Sequence, residues 1–280
     1  MKRIALALGL AFLVDCKDKL SESNPKRLTP SAISTADVDK SLDAWEEKYH
    51  CNFQTAKELE NFVQQEIQKK IPEVITFYNK QFGLNNNPDS VKIAYGNITE
   101  GKEPSFHYDF DKRTLRLELT PKDNADKYVQ DMCAGKGYIW PSYQGRTIGF
   151  TPHEVAHWVH DKFMKDNDIK LDKSIACMNQ IGSCAVIEGT AVYMASFIDP
   201  DESHRDVIWD GVRAYEDPYT NLLATKLWGK WGYPAGEKLV RPILDKDFKR
   251  GLRIMSANHP KIKEAKDFVT YQKKVLKLLD

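Results

Sequence analysis

Residues 153–157 read His153-Glu154-Val155-Ala156-His157, an H-E-x-x-H pattern. On a helix, residues four apart lie one turn apart on the same face, so the two imidazoles can grip one metal ion. Neutral imidazole suits Zn²⁺, and zinc lowers the pKa of its water towards 7. Glu154, beside the first histidine, can reach such a water and act as a base. The helix context agrees. Thr151 suits the N-cap and Pro152 the first helical position. Thr151-x-x-Glu154 also fits a capping box, which would give Glu154 a purely structural task.

A zinc site needs a third protein ligand. His160 would lie about 10.5 Å along the helix from His153, too far for three histidines to converge on one ion. Glu188, 31 residues after His157, is the better candidate. Its neighbours Ala185, Val186, Ile187, Gly189 and Ala191 are small or apolar, so a buried carboxylate there must be paired or metal-bound. Gly189 would let a second helix approach closely. The alternative for Glu188 is an exposed or helix-end acid.

The elements that must hold these residues can be read from hydrophobic periodicity. Residues 38–50 suggest a short helix. From 55 to 82 apolar residues recur at helical spacing, with Pro72 expected to break or kink the stretch. Strand patterns follow at 91–98, 105–110 and 114–119, and the last two read as a hairpin through Asp111-Lys112-Arg113. Strand 114–119, charge-rich, is the expected exposed edge. Further helices are expected at 151–166, about 183–198, 203–214, 219–230, 234–244 and 260–279. The fold class is α+β: a small antiparallel sheet, the H-E-x-x-H helix and a mainly helical C-terminal half.

His153, Glu154 and His157 together with Glu188-Gly189-x-Ala191 resemble the gluzincin class of zinc metallopeptidases. There a helix bears H-E-x-x-H and a later helix supplies a glutamate ligand. The resemblance covers roughly residues 150–197 and implies a zincin-like catalytic domain. It also implies Zn²⁺ held by His153, His157 and Glu188, a water in the fourth position, and Glu154 as general base. The substrate would be a peptide or protein, bound by β-pairing along an edge strand. Such enzymes add a Tyr or His donor for the oxyanion. The candidates are His204 and Tyr215, then Tyr193, Tyr219 and Tyr233. Two patterns differ: thermolysin-like members carry an aspartate where this chain has Val192, and the metzincin extension would need Gly at His160 and His at Phe163.

Residues 1–15 open with Lys2-Arg3 and an apolar run from Ile4 to Val14, the form of a secretory signal peptide. Leu13-Val14-Asp15-Cys16 resembles a bacterial lipobox, with Cys16 the candidate lipidation site and residues 16–37 a polar tether. A single catalytic domain is expected over 38–280, its N-terminal α/β part running to about 167. The expected location is the cell envelope, with membrane contact through the anchor, or otherwise outside the cell. In that setting Cys51, Cys133, Cys177 and Cys184 suggest two disulfides, with Cys177–Cys184 and Cys51–Cys133 the favoured pairing and four free buried thiols the alternative. Trp209, Trp228 and Trp231 with nearby tyrosines make 209–233 aromatic, through helix packing or as a cleft wall. With 41 basic and 40 acidic residues, charge gives no case for a nucleic-acid partner. Two other functions fit the same residues. One is an envelope binding or scaffold lipoprotein with a structural or vestigial zinc site. The other is a zinc hydrolase of a non-peptide bond.

Overall fold

The structure, a computed structural model, describes residues 52–98, 105–134, 149–169, 181–198, 233–260 and 268–280. The signal-like segment, Cys16 and the tether, the helices expected at 38–50, 203–214 and 219–230, Cys51, Cys177, the Cys184 side chain, His204, Tyr215, Tyr219 and the tryptophans of 209–231 lie outside it.

The first helix, α1 (Ala56–Phe82), starts on a full capping box between Thr55 and Glu58 and ends at Gly83 in the left-handed conformation. Asp126 also accepts the Ala56 N–H at 2.8 Å. Leu59, Val63, Ile67, Ile71, Val74, Ile75, Tyr78 and Phe82 form its buried stripe. Pro72 does not divide it into two helices, one of the two outcomes expected: a single helix runs through. Proline inside a helix costs about 3 kcal/mol. Here Ile67, Ile71, Val74 and Ile75 are buried on both sides of it, and that packing outweighs the lost backbone bond.

Three strands follow: β1 (Ile93–Ile98), β2 (Ser105–Asp109) and β3 (Thr114–Pro121). β2 and β3 form the expected hairpin, whose turn places Arg113 at φ 52°. The sheet is not purely antiparallel. Its order is β1-β3-β2, and β1 pairs with β3 in parallel. β3 is therefore central, and β1 and β2 are the edges of the described sheet in place of the expected 114–119. Alternate residues Leu115, Leu117 and Leu119 turn inward and are buried.

The remaining helices are α2 (Ala125–Cys133), α3 (Thr151–Asp166), α4 (Ile181–Ala195), α5 (Tyr233–Lys246), α6 (Phe248–Ala257) and α7 (Phe268–Leu279). The class is α+β, a small three-stranded sheet in a mainly helical chain. One apolar cluster links α1, the sheet and all the helices. Cys133 is disulfide-bonded, so it is not a free thiol; its partner lies outside the described residues. Among the described residues no helix is long and apolar enough to cross a membrane.

Candidate metal centre

α3 is buried on every side for its first three turns: all residues from Thr151 to Asp161 are buried. Val155, Ala156, Trp158 and Val159 give the apolar reason. Five ionisable residues are buried with them, and each must find a partner or lose stability. The partners define the site.

The helix begins at Thr151, as expected, but its N-cap is Phe150, with no side-chain cap bond. Thr151 is the first helical residue rather than the cap, so the capping-box role for Glu154 does not arise. Tyr78 of α1 anchors this end by donating its hydroxyl to the Pro152 carbonyl at 2.9 Å.

His153, His157 and Glu188 converge. The two Nε2 atoms lie 3.1 Å apart, and each is 3.3 Å from Oε2 of Glu188. These three groups could hold a metal ion. Four ligand atoms placed tetrahedrally about 2.05 Å from zinc lie about 3.3 Å from one another. The triangle formed by this chain's atoms has those edges, so the residues fit such an ion. Two imidazoles and one carboxylate also suit a transition metal better than calcium or magnesium, which take oxygen ligands. Burial pushes the Glu188 carboxyl up, but the charge of His157 and the bonds from both histidines outweigh it and hold the group well below the usual carboxylate range.

Glu188 reaches this place because α4 is buried throughout Ala185–Ala195 and packs tightly on α5. Gly189 lies against the backbone of Gly236: a Cβ there would stand 2.2 Å from the Gly236 carbonyl carbon. The close approach expected of Gly189 is present, and it sits one residue from the ligand.

Glu154 is outside the ligand triangle. Its Oε2 accepts the Tyr108 main-chain N–H at 2.7 Å. The strand pattern explains why that N–H is available. Opposite Tyr108, Leu115 gives its own N–H to Lys92 on the β1 side, so the pair is not hydrogen-bonded and Tyr108 faces the open edge of the sheet. Among the described residues Oε1 of Glu154 has no hydrogen-bond partner.

The Phe110 ring meets His157 edge to face, with centroids 5.6 Å apart. Among the described residues Nδ1 of His157 is buried with no hydrogen-bond partner. Val192, standing where thermolysin-like chains carry aspartate, is buried and apolar. His160 is not a ligand. Its Nε2 pairs with Ser256 Oγ at 2.8 Å, and burial, then the charges of His157 and His259, pull its pKa down to about 3. Tyr193 points away from the site and donates to Asp245 at 2.9 Å, which removes it as an oxyanion donor.

Two residues of the site were missed in the sequence, Tyr108 and Asp161. Tyr108 donates its hydroxyl to Asp161 Oδ2 at 2.8 Å. Helical spacing held a signal for Asp161: seven residues after Glu154, it falls within about 20° of the same face. No protein-family model, no curated protein and no solved structure matches this chain.

Proposed function

We propose that this chain is an exported zinc-dependent peptide hydrolase of the gluzincin kind. The observation that carries the reading is the division of labour between the ligands on α3 and α4 and Glu154. Three acceptor atoms converge at a tetrahedral edge length, and a fourth group, Glu154, is held beside them by a different partner. Near-complete burial of the three ligands would also suit a structural site. A structural site has no need of a carboxylate kept out of the triangle with one oxygen that, among the described residues, has no partner.

When bound, zinc supplies a Lewis acid for the scissile carbonyl and acidifies water. The chain's own residues do the rest. His153, His157 and Glu188 would hold the ion with three protein atoms, which is one fewer than a closed tetrahedral site uses. Tyr108 fixes Oε2 of Glu154 and leaves Oε1 to take a proton from water. The water oxygen bonds to the carbonyl carbon, the C–N bond breaks, and Glu154 returns the proton to the departing amine. β2 is an edge strand whose Tyr108 N–H is taken up by Glu154, so β2 would form one wall beside the site for a bound peptide. The N-terminal pattern supports export, with Cys16 as an anchor point.

The test is metal-dependent cleavage of a mixed peptide library by the wild type and Glu154→Gln. The reading expects cleavage that stops on chelation, returns with zinc, and falls about 10²- to 10⁴-fold in a Glu154→Gln protein that still binds metal. Equal rates in the two proteins would remove Glu154 as the base.

A further inference from the structure

β2 and Phe110, the residue that follows it, touch α3 at three successive turns. The Tyr108 N–H meets Glu154, the Phe110 ring meets His157, and the Tyr108 hydroxyl meets Asp161. Asp161 is buried, with its side chain 7% exposed, and its Oδ2 also faces Arg113 Nε at 3.3 Å across the hairpin turn. Tyr108 is thus fixed at both ends, by its main chain on Glu154 and by its hydroxyl on a carboxylate two turns further along the same face. The hydroxyl bond is charge-assisted and buried, the stronger kind of hydrogen bond. Burial, then the charge and bond of Asp161, raise the Tyr108 pKa well above that of a free phenol, so it remains a donor. Among the described residues β2 has a sheet partner on one side only; on the other, these contacts with α3 set where it lies along the helix.

We propose that Tyr108 and Asp161, supported by Arg113, form a latch that positions the general base. The latch fixes β2 at one height along α3, so that the residue-108 N–H meets Oε2 of Glu154 and holds the carboxylate for reaction. It rests on the hydrolase reading for its catalytic consequence, although the contact itself does not depend on metal or substrate. Tyr108 and Asp161 touch neither the reacting atoms nor the ion; they are positioning residues that act through Glu154.

The test uses the full-length protein, metal-free and zinc-loaded, with Tyr108→Phe, Asp161→Asn, Glu154→Gln and Tyr108→Phe/Glu154→Gln. The first readout is hydrogen exchange at the residue-108 amide. Glu154→Gln sets the rate with the acceptor weakened. The latch expects Tyr108→Phe and Asp161→Asn to raise the exchange rate towards that value, although Tyr108→Phe removes one oxygen and no backbone group. The second readout is peptide hydrolysis. Misplacing a catalytic group by about 1 Å costs up to about a hundredfold in rate. The latch therefore expects kcat to fall about 10- to 100-fold in Tyr108→Phe with KM within about twofold and one zinc still bound. It expects no further loss when Tyr108→Phe is added to Glu154→Gln. Unchanged exchange at residue 108 in both latch variants would overturn the proposal, as would an equal kcat loss with and without Glu154. Should Tyr108→Phe not fold, Asp161→Asn, which keeps the side-chain shape, decides by the same readouts. Should the wild type cleave no peptide, the hydrolase reading falls, and exchange alone decides whether the latch exists.

Discussion

Gly189→Ala is the perturbation whose size follows most directly from the packing of α4 on α5. The new methyl would stand 2.2 Å from the Gly236 carbonyl carbon, 2.3 Å from its oxygen and 2.8 Å from its Cα. Carbon atoms in ordinary contact sit about 3.5 Å apart or more, so α4 and α5 must separate by about 1 Å. The obstacle is backbone on both sides and cannot swing away. Overpacking of this kind costs about 1–3 kcal/mol or more, while alanine's better helix propensity returns at most about 1 kcal/mol. With backbone as the obstacle the cost falls at the upper end, about 3 kcal/mol, and we expect a net loss of about 2 kcal/mol, or about 4–8 °C in Tm for a domain of this size. The same shift carries Glu188, the adjacent residue. Ligand positions tolerate about 0.2 Å, so metal affinity should fall at least about tenfold. Thermal melts in chelator and competition against a chromophoric chelator measure the two effects. Gly96→Ala is the control, because its methyl would meet nothing closer than Glu118 at 3.5 Å. A Gly189→Ala protein that melts within about 1 °C of wild type and binds metal as tightly would refute the close-packing argument.

Two further outcomes follow from groups packed around α3. His160 stays neutral in the fold down to about pH 3, whereas an unfolded histidine titrates near 6.5. The unfolded chain therefore gains a proton first as pH falls from about 6.5 to 3, and stability is lost at about 1.4 kcal/mol per pH unit in that window. Denaturant melts of metal-free protein should show about 2–3 kcal/mol less loss between pH 6.5 and 4.5 in His160→Gln than in wild type; identical pH dependence would contradict the assignment. Tyr78→Phe leaves the Pro152 carbonyl without its buried donor and should cost about 1 kcal/mol in a denaturant melt, with metal affinity unchanged. A coincident drop in metal affinity would mean that Tyr78 also shapes the site.

How much of this was legible in the sequence varied with the range of the forces involved. The bounds of α3, and the three strands to within two residues, were readable because local signals set them: Pro152 at a helix start, alternation in Thr114–Leu119, turn residues at 111–113. Glu188 was legible as the only acid in an apolar helical stretch. The sheet's order was not, because alternation marks strands but says nothing about their partners, and the parallel pairing of β1 with β3 is a long-range outcome. Helix α6 was not among the expected helices, and it carries Gly251, a poor helix former, in its first half. That glycine is required by contact, since a Cβ there would fall 2.8 Å from Ile243 Cγ2. Asp161 looked like an ordinary charged residue; only the fold brings Tyr108 and Arg113 to it from a segment about 50 residues earlier. The continuity of α1 through Pro72 is likewise a victory of packing on both sides over local propensity.

The claim on which the account depends is that His153, His157 and Glu188 bind one metal ion together. Zinc content of the full-length protein after loading and dialysis, measured beside Glu188→Ala, tests it most directly. The account expects one zinc per wild-type chain, lost or at least about tenfold weaker in the variant. Stoichiometric zinc that survives Glu188→Ala undiminished, or no zinc in either protein, would contradict it.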